Sequence, residues 1–128
     1  MIVVDASVVV DSLIGSAVTS ERLSGEVLIA PAILDAEVGG AVRRRWRRGS
    51  LDDERAHLAI DALADLEILR FEHRALIRRA WQLRHTVSFT DALYVTLAEQ
   101  LGIPLVTADA RLAGAPAVRA TVEVCPPG

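Results

Sequence analysis

The sequence predicts an α/β fold with a mainly parallel central sheet between two layers of helices, and three observations carry that prediction. Short apolar runs alternate with longer helical stretches along the whole chain. The runs at Ile2 to Asp5 and Leu105 to Thr107 are too brief for helices and suit buried strands. Breaks such as Gly49 and Gly102-Ile103-Pro104 punctuate the helices.

Taken in order, the first strand leads into a helix from about Ser7 to Ile14, with a second short helix before Gly25. Val27 to Ala30 is the next strand. Pro31 then suits a first helical position, which predicts a helix from Ala32 to Arg48 that Gly49 stops. Ser50, with Asp53 three residues on, suits the cap of a further helix, whose core face is expected at Leu58, Ala59, Ala62, Leu63 and Leu66. Glu67 to Arg70 reads as an edge strand. Helices follow over His73 to Arg84 and Ser88 to Leu101, then the strand Leu105 to Thr107, a helical turn from Ala110 and a last strand around Thr121 to Val124. Pro126-Pro127-Gly128 is expected to fray.

The 128 residues are expected to form one domain, 1–128, with a sizeable core. A composition of 52% hydrophobic and 24% charged residues is that of an ordinary soluble domain, and the net charge of −3 supplies no overall attraction for nucleic acid. No apolar run approaches a membrane span, and the N-terminus lacks the basic start of an export signal. The lone Cys125 has no internal disulfide partner, which fits a reducing cytoplasm. All fourteen basic residues are Arg, so any mechanism that needs a lysine is excluded. A receiver domain, with its lysine, and a Gly-Lys phosphate loop both fail on that ground. A dehalogenase-type phosphatase wants a second Asp where Ser7 stands.

Four acids, Asp5, Glu37, Asp91 and Asp109, fall at strand ends or helix starts. In a parallel sheet these positions share the edge where ligands bind. Each acid alone is also what helix capping or the macrodipole would place there. Glu37 stands apart, because it is expected beyond the first helical turn on an apolar segment, where a charge needs a partner. Clustered carboxylates raise one another's pKa, and a hard divalent cation relieves them. The cluster therefore predicts metal-dependent hydrolysis. Ser7 and Thr107, each two residues from an acid, are candidates to hold a water or to orient a carboxylate; helix capping is the alternative.

The stretches Val3-Val4-Asp5-Ala6-Ser7, Ala30-Pro31 with Glu37, Thr90-Asp91-Ala92-Leu93-Tyr94 and Leu105-Val106-Thr107-Ala108-Asp109-Ala110-Arg111-Leu112 together resemble PIN-domain proteins of the VapC toxin type. The resemblance covers nearly the whole chain. It implies a metal-dependent endoribonuclease, the toxin half of a toxin–antitoxin pair, with Asp5, Glu37, Asp91 and Asp109 as active-site acids. It also implies a homodimer and a cognate antitoxin whose C-terminal segment covers the active-site groove and sets an Arg against the acids. Apolar residues for such a groove are sought among Val8, Val9, Leu13 and Ile14 and on the helix after Pro31.

Carboxylate oxygens suit Mg²⁺ or Mn²⁺, whereas the three histidines show no zinc-ligand spacing. Asp5 and Asp91 are the expected direct ligands, with Glu37 and Asp109 acting through water or on a second ion. For the RNA, Arg43, Arg44 and Arg47 can grip phosphate and Trp46 can stack on a base; a solvated helix end is the alternative reading of that run. Arg70, Arg74, Arg78, Arg79 and Arg84 form a second basic stretch, read as solvated surface. Trp81, Phe89 and Tyr94 are assigned to core or dimer interface. The rival function is a non-catalytic PIN-like module that binds RNA or protein.

Overall fold

A computed structural model describes residues 1–126; Pro127 and Gly128, the end of the expected frayed tail, lie outside the described residues. The strands β1 (Ile2–Val4), β2 (Leu28–Pro31), β3 (Ile68–Phe71), β4 (Leu105–Thr107) and β5 (Val122–Val124) form one parallel sheet in the order β3-β2-β1-β4-β5. Val3 pairs with Ile29 on one side and Leu105 on the other, so β1 is central. The chain winds outward from β1 in both directions, which puts the topological switch point between β1 and β4. The short apolar runs are strands because both faces are covered: every residue of β1, β2 and β4 is buried, whereas β3 is the exposed edge the sequence predicts.

Helices α1 (Ala6–Leu13), α2 (Ala17–Leu23), α3 (Leu34–Arg47), α4 (Asp53–Asp65), α5 (Ile77–Gln82), α6 (Phe89–Leu101) and α7 (Ala110–Ala113) flank the sheet. α1 packs on α2, α3 and α4, while α6 packs on α5 and along β1, β2 and β4. Ala92 to Ala98 of α6 are all buried, so this helix is a core element on every side. Ion pairs fasten the periphery. Arg22 holds Glu123 and so ties α2 to β5; Arg79 grips Glu99 through two bonds of 2.8 and 3.1 Å and so ties α5 to α6.

Several boundaries differ from expectation, each for a local reason. Pro31 ends β2 instead of opening α3, because the Ala32 amide donates to Phe71 O at 2.8 Å and prolongs the ladder with β3. α3 therefore starts at Leu34, and Glu37 falls in its first turn. Ala32 and Ala36 on this segment are exposed. The cap of α4 is Asp52, which accepts from Arg55 N at 2.8 Å, while Ser50 Oγ donates to Arg45 O. That phase buries Ala56, Ala59 and Leu63 and leaves Ala62 exposed and Leu58 62% exposed, since Leu58 and Ala62 lie about 100° round from the inner stripe. The helix expected over His73 to Arg84 is a 3₁₀ turn, Arg74–Leu76, followed by α5. Val8 and Val9 belong to the core and not to a groove, with Leu13 and Ile14 packed partly against it. Trp81 is 59% exposed and Phe89 is exposed as well, so neither is core. Cys125 is buried. Among the described residues no helix is long and apolar enough to cross a membrane.

Candidate active site

Asp5 follows β1 and caps α1, accepting from Ser7 N at 3.0 Å and Val8 N at 3.4 Å. Its carboxylate also accepts from two hydroxyls, Ser7 Oγ on one oxygen and Thr107 Oγ1 on the other. Both hydroxyls accept in turn from the chain leaving β4: Ser7 Oγ from Ala108 N and Thr107 Oγ1 from Asp109 N, each at 3.0 Å. The ends of the two central strands are thus stitched through one acid. Asp5 is only 6% exposed. Burial pushes its carboxyl up, and the four donated hydrogen bonds pull the other way.

Glu37 reaches the same edge from α3. The start of this helix has no side-chain cap of its own; instead His73, beyond β3, accepts from Ile33 N at 3.0 Å, and Arg70 of β3 binds Asp35 at 2.7 and 2.9 Å. The sheet edge therefore sets the angle at which α3 leaves. Tyr94 OH donates to Glu37 Oε1 at 2.5 Å. Burial is the main cause that raises the Glu37 carboxyl, the charges of Asp91 and Asp5 add to it, and Tyr94 and Arg44 oppose it. Tyr94 itself is pushed up by burial and by its carboxylate neighbours, so its phenol keeps its proton and serves as a donor.

Asp91 stands in the first turn of α6, whose cap Ser88 accepts from Asp91 N at 3.1 Å. Asp109 caps α7 after β4, accepting from Arg111 N at 3.0 Å. The two acids share a cleft of about 200 Å³ with Thr86, Val87, Ser88, Arg111 and Leu112. Arg111 binds Asp109 through Nε at 3.1 Å and Nη2 at 2.8 Å and holds its carboxyl below the usual range. Asp91 is raised by burial first and by Asp109 next. The charge couplings Asp5 to Glu37, Glu37 to Asp91 and Asp91 to Asp109 link all four acids at one edge of the sheet.

The donor set consists of carboxylate and hydroxyl oxygens, the chemistry of a hard cation. Among the described residues no three His, Cys, Asp or Glu side chains are gathered tightly enough to ligate one ion together. An open set of this kind fits Mg²⁺, which is commonly bound by one or two carboxylates with water completing the octahedron.

The arginine run is divided. Arg44 lines a cleft of about 360 Å³ with Ser7, Asp11, Glu37, Arg45 and Ala108, beside the acids. Arg43 and Trp46 instead line an apolar groove of about 290 Å³ between α3 and α4, where Trp46 Nε1 donates to Asp53 Oδ1 at 2.6 Å. Arg47 is exposed. In the second basic stretch Arg70 and Arg79 are taken up in ion pairs, and Arg84 lies over Trp81 at 4.8 Å from its ring centroid. Three residues beside the acids, Tyr94, Arg45 and Arg111, lie in stretches the sequence singles out, but their contacts at the site are not legible there: Tyr94 on Glu37, Arg111 on Asp109 and Arg45 in the cleft with Glu37. Tyr94 has a signal in hindsight, since a buried tyrosine one turn after Asp91 needs a partner for its hydroxyl.

Comparison with known proteins agrees with this architecture. Residues 2–117 match the family model described as PIN domain. The chain is 45% identical to Ribonuclease VapC1 of Mycobacterium tuberculosis, over 95% of this chain and 96% of that protein. It is 38% identical to Ribonuclease VapC12 of the same species, over 97% and 98%. The crystal structure of FitAcB from Neisseria gonorrhoeae superposes with a TM-score of 0.69 at 17% identity, covering 95% of this chain and 96% of that one, and so shares the fold. The family model spans most of the sequence and the relatives span nearly all of it, so the chain belongs to the PIN domain family.

Proposed function

We propose that the protein is a metal-dependent endoribonuclease, the toxin of a toxin–antitoxin pair, working as one PIN unit over residues 1–128. The observation that carries this reading is that Asp5, Glu37, Asp91 and Asp109 all stand at the edge where the parallel strands end, Asp91 and Asp109 in one cleft and Glu37 in another beside Ser7, in a chain whose relatives are named ribonucleases.

Asp5 and Asp91 are the residues assigned to hold Mg²⁺ or Mn²⁺ directly, with Glu37 and Asp109 acting through water or on a second ion. Such a cation lowers the pKa of a bound water and neutralises charge on a phosphate. Ser7 and Thr107 keep Asp5 in one orientation, since each oxygen of that carboxylate is already fixed by a hydroxyl. Glu37 has a raised proton affinity and a fixed oxygen, which suits it to accept a proton from the attacking water. Water, and not the ribose 2′-hydroxyl, is the nucleophile, so the products carry a 5′-phosphate and a 3′-hydroxyl.

The same acids explain an antitoxin. A guanidinium already fits here, as the Arg111 pair with Asp109 illustrates. An apolar antitoxin segment finds its exposed surface on α3, in the groove beside Trp46. A homodimer in a cytoplasmic setting completes the proposal.

The test is cleavage of end-labelled total RNA by wild type and Asp91→Asn, each with Mg²⁺, Mn²⁺ or EDTA. Wild-type cuts bearing 5′-phosphates, lost in EDTA and in the variant, are the expected result. Cuts ending in 2′,3′-cyclic phosphate overturn the water mechanism. A folded, antitoxin-free wild type that cuts no RNA with either metal leaves the binding module as the better reading.

A further inference from the structure

The chain carries Arg43, Arg44, Arg45, Arg47 and Arg48 around Trp46 in one run, and helical spacing separates their surroundings. Gly39, Val42, Arg43 and Trp46 face α4 across the apolar groove. Glu37, Ala41, Arg44 and Arg45 face Ser7 and Ala108 across the acid cleft. Arg44 also turns back along the helix. A Cβ built on Gly40 would lie 3.4 Å from Arg44 Nη1, so the guanidinium passes over Gly40 in the direction of Glu37.

The charges of these two arginines are felt in the cleft. Arg44 pulls the Glu37 carboxyl down, and Arg45 does the same to Asp11. Among the described residues no carboxylate comes within ion-pair distance of either, in contrast to Arg22, Arg70, Arg79 and Arg111. Arg43 and Arg47 are likewise without an ion pair among the described residues, so what sets Arg44 and Arg45 apart is the cleft that they line. Their donors are left for another anion. A polyanion crossing four carboxylates is repelled by them, and screening leaves that repulsion effective within about 8 Å at physiological salt. Compensating cations must therefore stand at the rim of the acids, not on another face. Arginine adds a planar fork that matches phosphate.

We propose that Arg44 and Arg45 together anchor an RNA phosphate beside the scissile one, and that the neighbouring Arg43 and Arg47 do not contact the substrate. This inference rests on the ribonuclease reading and refines it. It makes Arg44 and Arg45 substrate-positioning residues, about two helical turns along α3 from Glu37.

The test measures affinity and not turnover. Asp91→Asn protein in EDTA is titrated with a labelled mixed-sequence single-stranded RNA across a range of salt. Two variants in that background each lose two positive charges: Arg44→Gln with Arg45→Gln, and Arg43→Gln with Arg47→Gln. The cleft pair is expected to bind about tenfold more weakly, with the slope of log K against log salt reduced by roughly 0.7 per lost phosphate contact. The control pair is expected to stay within about twofold of its parent, because an arginine that touches no phosphate releases no counterion. Replacing Arg44 and Arg45 by Lys restores the salt slope but only part of the affinity, since the charge returns without the fork. Should the double Gln variant fail to fold, the Lys variant and Arg44→Gln alone carry the comparison.

Equal losses in the two pairs, or a cleft pair that binds like its parent, overturn the proposal. Failure of the underlying reading is distinct, because wild type would then cut no RNA with Mg²⁺ or Mn²⁺. If wild type cuts while the cleft pair binds like its parent, this inference alone fails.

Discussion

Asp5 and Asp109 occupy equivalent places, each capping the helix that follows a central strand, yet they are held in opposite ways. Asp5 is buried among neutral donors, two amides and two hydroxyls, and its proton affinity is raised. Asp109 is held by a guanidinium whose own side chain is 90% exposed, and its proton affinity is lowered. The contrast teaches that one end of the cluster is fixed by the core and the other is balanced by a surface charge that solvent can compete for. Mutations at the two ends should therefore differ in size and in kind.

The largest effect is expected at the fixed end. Asp5→Asn keeps the oxygen that caps α1 but loses the charge and the oxygen that accepts from Thr107, and several kcal/mol of charge stabilisation corresponds to a loss of kcat/KM on the order of a thousandfold. Single-turnover cleavage with Mn²⁺ measures it. A loss below about tenfold would remove Asp5 from the catalytic set.

Next comes Tyr94→Phe. Its hydrogen bond favours the ionised form of Glu37, so deleting it raises the Glu37 pKa further and moves the acid limb of the pH–rate profile to higher pH. A fall in rate of about tenfold is expected from the loss of such a supporting partner. An unmoved acid limb would mean that Glu37 does not control it.

A stability effect of the opposite sign should accompany the loss of activity in Asp91→Asn. Asp5, Glu37 and Asp91 are all raised in the folded protein. Their contribution to stability is complete below the ordinary carboxyl range and is lost as pH rises through the raised values. In EDTA the wild type should thus melt lower at neutral pH than in mild acid on their account. Asp91→Asn should gain a few degrees at neutral pH and little in acid. Equal melting temperatures for variant and wild type at both pH values would show that burying the ionised Asp91, next to Asp109, costs the fold little.

The smallest change is expected at the solvent end. Arg111→Gln should let the Asp109 carboxyl titrate at a higher pH, visible in its side-chain carbon resonance, while the melting temperature barely moves. An unchanged Asp109 titration would show the ion pair to be a minor contact in solution.

The sheet and the meeting of the acids are legible in the sequence because both follow from short-range patterns. Continuous apolar runs identify the buried strands, and the ends of parallel strands must point to one edge, so Asp5 and Asp109 can be placed without coordinates. What depends on partners far along the chain is hidden. Pro31 reads as a helix start until the β3 ladder reaches past it through Ala32 and Phe71. Tyr94 reads as core and is core, but the partner of its hydroxyl is hidden, because α3 brings Glu37 to it from 57 residues away in sequence. The arginine run reads as a single patch because adjacency in sequence does not reveal which turn faces the acids and which faces α4.

The all-round burial of α6 carries a consequence for exchange with solvent. Asp91 and Tyr94 ride on a helix whose residues from Ala92 to Ala98 are all enclosed. The amides of that helix should exchange with deuterium only when the whole domain opens, so they should share the slowest rate in the molecule. The edge at β3 and the arginine-bearing end of α3, both exposed, can open on their own and should exchange sooner. The acids carried by α6 and β1 then keep their positions for as long as the protein is folded at all, while the surface that meets a long polymer remains free to adjust.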